Sequence, residues 1–290
     1  MGKSVLVLGD FIIDRYTILG PHSATSEAYC GKYLACETFD LPGGAGNVAC
    51  NIAALGSKVT MIAVSGDSPL FIPTHKNITW KLLPDRRDFT VPIKHRFLQG
   101  NVTRMRVDYE APNTIKIHMQ DFIRYHIQLS RASTLCISDY NKGGINEAII
   151  ETAIKKRTFI IVNPKPNNIY WYSDFIADVI IVNRDEAKQI SDHSSLGGYT
   201  IADYGINLLR ITNAHNVVVT DASNGLYWFT KEGLVKHFAA DTSYNFVDAV
   251  GAGDTVVATI AARGTINDAV LKEAIKNAAI VCSKLGTSTI

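Results

Sequence analysis

Cysteine is scarce in this chain, and none of it is arranged for paired chemistry. The five residues Cys30, Cys36, Cys50, Cys136 and Cys282 are odd in number and show no C-x-x-C spacing. That excludes a disulfide framework or a zinc site and fits free thiols in a reducing compartment. The 8 histidines show neither H-x-x-x-H nor H-E-x-x-H spacing, so no protein-built metal cage is expected. Long apolar runs are missing too, since none approaches the roughly 20 residues that span a bilayer. The N-terminus runs straight into the apolar stretch Ser4–Leu8 without a signal peptide. The expectation is a cytoplasmic protein with no membrane partner. Charge of one sign is absent as well: 29 Lys and Arg face 27 Asp and Glu, for a net charge of +2. The basic residues are scattered, which excludes a surface built to coat nucleic acid. No internal repeat, low-complexity tract or linker breaks the chain. What remains, 290 residues at 47% hydrophobic and 19% charged, is globular material long enough to bury a full core.

Within that material, apolar strands alternate with helices. Strands are expected at Ser4–Leu8, Lys58–Val64, Thr134–Ile137, Phe159–Val162, Val179–Val182 and Val217–Thr220. Helices are expected at Gly44–Leu55, Asn146–Lys155, about 184–190, about 202–211, Gly253–Arg263 and Asn267–Leu285. Short, continuous apolar runs bounded by polar turns suit parallel strands covered on both faces. The order predicts an α/β fold with a doubly wound, mostly parallel sheet and helices on both sides, in a single domain over 1–290. Two stretches break the alternation, Ile12–Leu19 with Tyr29–Phe39, and Phe89–Gln99 with Asn101–Glu110. They are expected to form a small inserted β-lid, over about 12–39 and 89–110. Its exposed edge, with Tyr29, Tyr33 and Leu34, invites pairing with a second copy of the chain as a homodimer.

One segment carries the chemistry. Asp248-Ala249-Val250-Gly251-Ala252-Gly253-Asp254-Thr255 runs directly into the small-residue helical stretch Val256–Ala262. A glycine turn that opens a helix leaves backbone N–H groups unpaired, and the helix dipole adds positive potential there. Phosphate is the usual anion at such a turn. Asp254 places a carboxylate inside it, where it repels a resting phosphate. A base that takes a proton from an alcohol while the N–H groups hold a transferring phosphoryl group accounts for that charge. A tight turn with Asp254 as a helix cap is the plainer reading of the same residues. Gly44-Ala45-Gly46 is half of a dinucleotide fingerprint, but it follows Asp40-Leu41-Pro42 and not a buried strand.

Pro42-Gly43-Gly44-Ala45-Gly46-Asn47-Val48-Ala49, taken with the Asp248–Thr255 segment, resembles the signature pair of the ribokinase-like carbohydrate kinases, the PfkB family. Further stretches resemble the branch that phosphorylates D-glycero-β-D-manno-heptose 7-phosphate. These are Gly9-Asp10 with Asp14-Arg15-Tyr16, Ser26-Glu27-Ala28, Arg106-x-Asp108-Tyr109-Glu110, Ser138-Asp139-Tyr140-x-Lys142-Gly143, and the terminal Lys284–Ile290. The resemblance implies ATP with Mg2+ as phosphoryl donor and a sugar phosphate as acceptor, phosphorylated at its anomeric hydroxyl. It makes Asp254 the base and the N–H groups of Gly251, Ala252 and Gly253 the anion hole. Asn183 and Glu186 fall at the family's N-x-x-E element, with Glu186 near magnesium through water. Thr220, Gly225 and Asn277 fall at the nucleotide pocket. Asp14, Gly43, Gly44 and Asn47 fall at the sugar hydroxyls, where carboxylate and amide groups bond diols and glycine lets the backbone approach. Asp139, Arg106 and Lys165 join the acceptor side, with Lys94 and Arg96 as further cations able to meet a phosphate. In bifunctional members of the branch a nucleotidyltransferase domain follows the final motif, so the resemblance covers the kinase half.

The chain departs from the branch pattern in four places. Asn163-Pro164-Lys165 replaces Asp-Pro-Lys, Ala24 stands where a lid arginine is expected, and no proline follows Ser26. Where the family has a helix and a strand, the stretch from Gly66 to Ile78 is too short and proline-broken for a full helix. The first removes a carboxylate near the phosphates, and the second and third fall on the acceptor side. A kinase for another sugar, sugar phosphate or nucleoside, or a weakly active phosphosugar-binding protein, therefore stays open from the residues.

Overall fold

Six apolar residues, Ser4–Gly9, form β1 in the middle of the main sheet. The chain then leaves for a second sheet through β2 (Phe11–Ala24) and β3 (Gly31–Gly44), and returns in α1 (Ala45–Ala54). β4 (Lys58–Ser65) and β5 (Ile78–Pro84) follow in the main sheet, then β6 (Ile93–Gln99) and β7 (Val102–Tyr109) in the second. The α/β alternation then runs through α2 (Ile117–Leu129), β8 (Thr134–Ser138), α3 (Glu147–Ile154), β9 (Phe159–Asn163), β10 (Val179–Asn183), α4 (Arg184–His193), α5 (Ile201–Thr212) and β11 (Asn216–Thr220). β12 (Leu226–Thr230), β13 (Val235–Phe238), α6 (Ala252–Arg263) and α7 (Asp268–Cys282) complete it. The computed structural model describes residues 3–24, 31–66, 72–85, 89–156, 158–194 and 196–290. The Ser26-Glu27-Ala28 stretch, Tyr29 and residues 67–71 named above lie outside the described residues, as does the side chain of Ala24.

The main sheet has the order β13-β12-β11-β10-β9-β8-β1-β4-β5. It is parallel from β11 to β5, and β12 and β13 extend it antiparallel. Alternate residues of each strand feed opposite faces. Leu6, Leu8, Ile62, Leu135, Ile137, Val162 and Ile180 pack under α2–α5, while Val5, Val7, Met61, Cys136, Ile161, Ile181 and Val218 pack under α1, α6 and α7. Each such side chain contributes about 1.5–3 kcal/mol on burial, so both faces hold the strand register. That register brings the carboxyl ends into line: Gly9 opposite Ser138, Ser138 opposite Asn163, and Asn183 opposite Thr220. Ligands of open α/β sheets bind beyond these ends.

The second sheet, ordered β3-β2-β6-β7, stands where the inserted lid is expected. Its strands run longer than the sequence suggests because β2 and β3 pair from Phe11 opposite Gly44 out to Ala24 opposite Gly31. Four elements escape the sequence reading. β5 exists despite the short Gly66–Ile78 connection, since Ile78–Pro84 pair along Val59–Ser65 and the missing length is taken from the connection alone. α2 hides because only Met119, Ile123 and Ile127 are buried while Ile117, Phe122, Tyr125 and Leu129 stay exposed, which blurs the apolar stripe. β12 and β13 form the antiparallel edge beyond β11.

Candidate active site

Among the described residues, helices α1, α2 and α6 start without a side-chain cap, and the other four carry one. Asn146, Asn183, Thr200 and Asn267 each cap α3, α4, α5 and α7 with a side-chain oxygen. α6 begins instead at Gly251, left-handed at φ 85°, with no side-chain cap. The N–H groups of Gly251, Gly253 and Asp254 meet no acceptor among the described residues. The Ala252 N–H, expected in the anion hole, donates to the Ala249 carbonyl at 3.2 Å and closes the turn. Asp248 braces this turn from below, accepting from Val250 N and Gly286 N at 3.1 Å each. A Cβ on Gly251 would lie 2.8 Å from Asn47 Nδ2, so both its φ and its surroundings require glycine there.

Asp254 sits at the third residue of α6, half-buried, at the meeting of three segments. Asn47 of α1 donates to its Oδ2 at 2.8 Å, and the Tyr140 hydroxyl donates to its Oδ1. Burial raises its pKa, opposed by these two hydrogen bonds, and Asp14 raises it further. The Tyr140 ring lies between two ammonium groups, Lys94 Nζ at 5.1 Å and Lys165 Nζ at 4.9 Å from its centroid. Lys165 pairs with Glu186. Lys94 has no carboxylate partner among the described residues, and burial, with Arg106 and Lys165 nearby, lowers its pKa. The site thus combines open N–H groups, a carboxylate, and a half-buried cation that Asp14 and Asp254 attract without closing an ion pair.

On the second-sheet side, Asp14 is buried and takes Arg96 Nη1 at 2.5 Å. Gly43 runs directly beside it, and a Cβ there would collide with Asp14 Oδ2. Gly44 (φ 55°) opens α1, and its successor's N–H donates to the Asp10 carbonyl at 3.1 Å. Arg96 also stacks its guanidinium over Tyr16, whose hydroxyl accepts from Thr287 N at 3.1 Å and ties the C-terminal segment to this sheet. Arg106 is exposed on β7 and grips Asp108 through two 2.6 Å bonds.

Asp139, expected to face the acceptor, does not reach the cleft. It is buried and accepts from Asn141 N, Asn168 Nδ2 and the Tyr172 hydroxyl. Burial raises its pKa. Asp10, from the end of β1, is equally buried and takes the N–H groups of Tyr140, Lys142 and Gly144 at 2.8, 3.1 and 2.8 Å. Its pKa is pushed up to about 6 by burial and by Asp139. Together these two carboxylates fix the 139–144 loop that delivers Tyr140.

Asn183-x-x-Glu186 proves to be a capping box. Asn183 Oδ1 accepts from Glu186 N at 2.8 Å, and Glu186 Oε2 accepts from Asn183 N at 3.0 Å. Glu186 Oε1 takes Lys165, so the box also orients the lysine under Tyr140. Asn163 spends its amide donating to the Ile181 carbonyl at 2.8 Å, a bond a carboxylate cannot make. Thr220 ends β11, and Gly225 (φ 93°) closes the turn after it, where a Cβ would collide with the Phe238 carbonyl. The neighbouring Asp221 holds Arg184 at 3.2 Å. Asn277 is buried between α6 and α7, its amide donating to Thr259 Oγ1 at 3.1 Å, a bond that serves helix packing.

A helix start with open N–H groups and a carboxylate in it, beyond the carboxyl ends of a mostly parallel sheet, is the arrangement expected of a ribokinase-like phosphotransferase. The comparisons agree: a model of the pfkB family of carbohydrate kinases matches residues 104–290. The chain belongs to that family and is a sugar kinase, and the family implies ATP as its phosphoryl donor. It is similar to the bifunctional protein HldE of Nitrobacter hamburgensis, at 29% identity over 99% of this chain and 62% of that protein. The HldE of Psychromonas ingrahamii is 30% identical over 99% of this chain and 61% of that protein. The chain therefore spans about three-fifths of these relatives' length. In fold it is similar to Escherichia coli phosphofructokinase-2 in complex with potassium (TM-score 0.81, 17% identity, covering 99% and 94% of the two chains). Ribokinase from Thermotoga maritima superposes at TM-score 0.74 and 18% identity, covering 98% and 94%.

Proposed function

We propose that this kinase transfers the γ-phosphoryl group of Mg-ATP to the anomeric hydroxyl of D-glycero-β-D-manno-heptose 7-phosphate. The observation that carries an anionic acceptor is Lys94, a half-buried ammonium whose charge burial disfavours and which, although Asp14 and Asp254 attract it, closes no ion pair with either. A cation in that position is stabilised by an anion that arrives with the substrate. The motif resemblance and the HldE relatives support the heptose branch.

In this reading Asp254 accepts the proton of the attacking hydroxyl while the Gly251, Gly253 and Asp254 N–H groups stabilise the charge on the transferring group. The acceptor O–P bond forms as the γ-phosphorus leaves the bridging oxygen of ADP. Asp14 and Asn47 orient the sugar, and Lys165 and Lys94 flank the phosphoryl groups. Magnesium fits as an ion carried in on the nucleotide. Glu186 is the carboxylate that faces it, through water because both its oxygens are engaged, and no cluster of three ligating side chains occurs among the described residues. The ion supplies charge neutralisation of the phosphates. The second sheet acts as a lid that excludes water, and its exposed Tyr33 and Leu34 edge pairs two copies into a homodimer in the cytoplasm. A sedimentation mass of one chain at micromolar concentration would contradict that pairing.

ADP release from Mg-ATP is the test, against heptose 7-phosphate, fructose phosphates, ribose and adenosine. Turnover with the heptose phosphate alone is expected. Turnover with an uncharged sugar alone would overturn the anionic-acceptor reading.

A further inference from the structure

Tyr140 touches the reacting carboxylate, yet the reaction as written above gives it no part. Its placement is over-determined. Asp10 takes its N–H and those of Lys142 and Gly144, Asp139 N donates to the Asn163 carbonyl at 3.0 Å, and Asn141 adopts φ 55°. A Cβ on Gly143 would collide with the Asn113 carbonyl, so the turn is packed on its outer side as well. The ring lies between Lys94 and Lys165, which draw electron density from it and strengthen the O–H as a donor. Packing alone would be satisfied by phenylalanine. The hydroxyl is aimed at Asp254 Oδ1, opposite the Asn47 amide on Oδ2.

We propose that Tyr140 is a positioning residue for phosphoryl transfer: its O–H donates to Asp254 Oδ1, keeping that carboxylate ionised and turned toward the acceptor hydroxyl. The proposal rests on Asp254 being the base. Tyr140 keeps its proton throughout. The acceptor O–H breaks, its proton passes to Asp254, the acceptor oxygen bonds the γ-phosphorus, and ADP departs with the electron pair of the broken P–O bond. A donor to the charged form of a carboxylate lowers its pKa, so losing the donor raises it. Burial raises the pKa of Asp254, and the Tyr140 bond opposes that rise.

The charged and titratable groups facing Asp254 are Asp14 from β2, Lys94 from β6 and Cys136 from β8, and Lys165 from the loop after β9 lies over the Tyr140 ring. Glu186 of α4 stands behind Tyr140, and Arg96 behind Asp14. Asp10 titrates at about 6, but its three donors are backbone N–H groups that a side-chain change at Tyr140 leaves in place.

The experiment is the pH profile of kcat for the full chain and for Tyr140→Phe with saturating Mg-ATP and acceptor, with Asp254→Asn run alongside. Tyr140→Phe is expected to move the acid limb up by about one pH unit, leaving both KM values and the alkaline plateau close to those of the parent. A uniform fall in kcat at all pH values with the limb unmoved, or a change in KM alone, would overturn the proposal. Site-specific 3-fluorotyrosine at 140, a stronger donor of nearly the same shape, is expected to move the limb the opposite way, which keeps the test decisive if Tyr140→Phe folds poorly. An unmoved limb there contradicts the proposal equally. Undiminished turnover by Asp254→Asn would instead remove the base on which the proposal stands.

Discussion

Two carboxylates near the cleft, one half-buried and one buried, serve different ends. Asp254 has donors on both oxygens and open N–H groups beside it, the environment of a group that must carry charge during a reaction. Asp10 has three backbone donors and no cation, and it holds a loop. Its folded pKa of about 6 exceeds the ordinary 3.8, so between those values the folded chain binds the proton more tightly than the unfolded one. Its contribution to stability is therefore greatest below about pH 4 and is lost as pH rises through 6. Asp10→Asn cannot titrate, so the stability advantage of the parent over that variant should shrink between about pH 4 and pH 7, by on the order of 3 kcal/mol. Urea unfolding at both pH values checks this, and an equal gap at the two would contradict it. At this scale, the glycine turn around Asp254 was legible because its signal is local: glycine, glycine, aspartate, then helix. Tyr140 was legible only as part of a motif, since its role arises where the Asp10 loop, α1 and α6 converge from distant parts of the chain. Asp139 misled because a carboxylate at a strand's carboxyl end looks available until Asn168 and Tyr172 are found on it.

Among the elements, α6 is the one shaped by what it must bind. Gly253 has ordinary φ, and a Cβ added there would meet nothing within 4 Å, so the fold does not require glycine at that position. Gly253→Ala should stabilise the protein by roughly 0.5–1 kcal/mol through reduced freedom of the unfolded chain. The same methyl enters the space over the open N–H groups, so kcat/KM for ATP should fall by about 10-fold or more. Thermal unfolding and steady-state kinetics on one preparation check both signs, and unchanged activity would place the phosphoryl group elsewhere. Helix α1 and helices α3 to α7 were readable from their runs of small and apolar residues. Helix α2 was not, because its exposed Ile117, Phe122, Tyr125 and Leu129 give no polar face. The Asn183–Glu186 pair shows one motif with two physical jobs: it caps α4 and holds the lysine beneath Tyr140.

For the whole molecule, the strand register fixes the site. Parallel pairing aligns the carboxyl ends of β1, β8, β9, β10 and β11, and the excursion into the second sheet begins within two residues of the end of β1. Asp14, Lys94 and Arg96 are thereby carried to the mouth of the main sheet. Alternation of strands and helices was enough to read the main sheet. The β2–β3 hairpin was readable too, but the pairing of β2 with β6 was not, because it joins strands about 80 residues apart through contacts no local pattern records. Everything in this arrangement converges on Asp254. The most direct measurement is ADP release from Mg-ATP and the accepted sugar by Asp254→Asn beside the parent, with nucleotide binding followed by calorimetry. The account predicts a loss of turnover of about 10³-fold with ATP binding retained. Full turnover by the variant would contradict it.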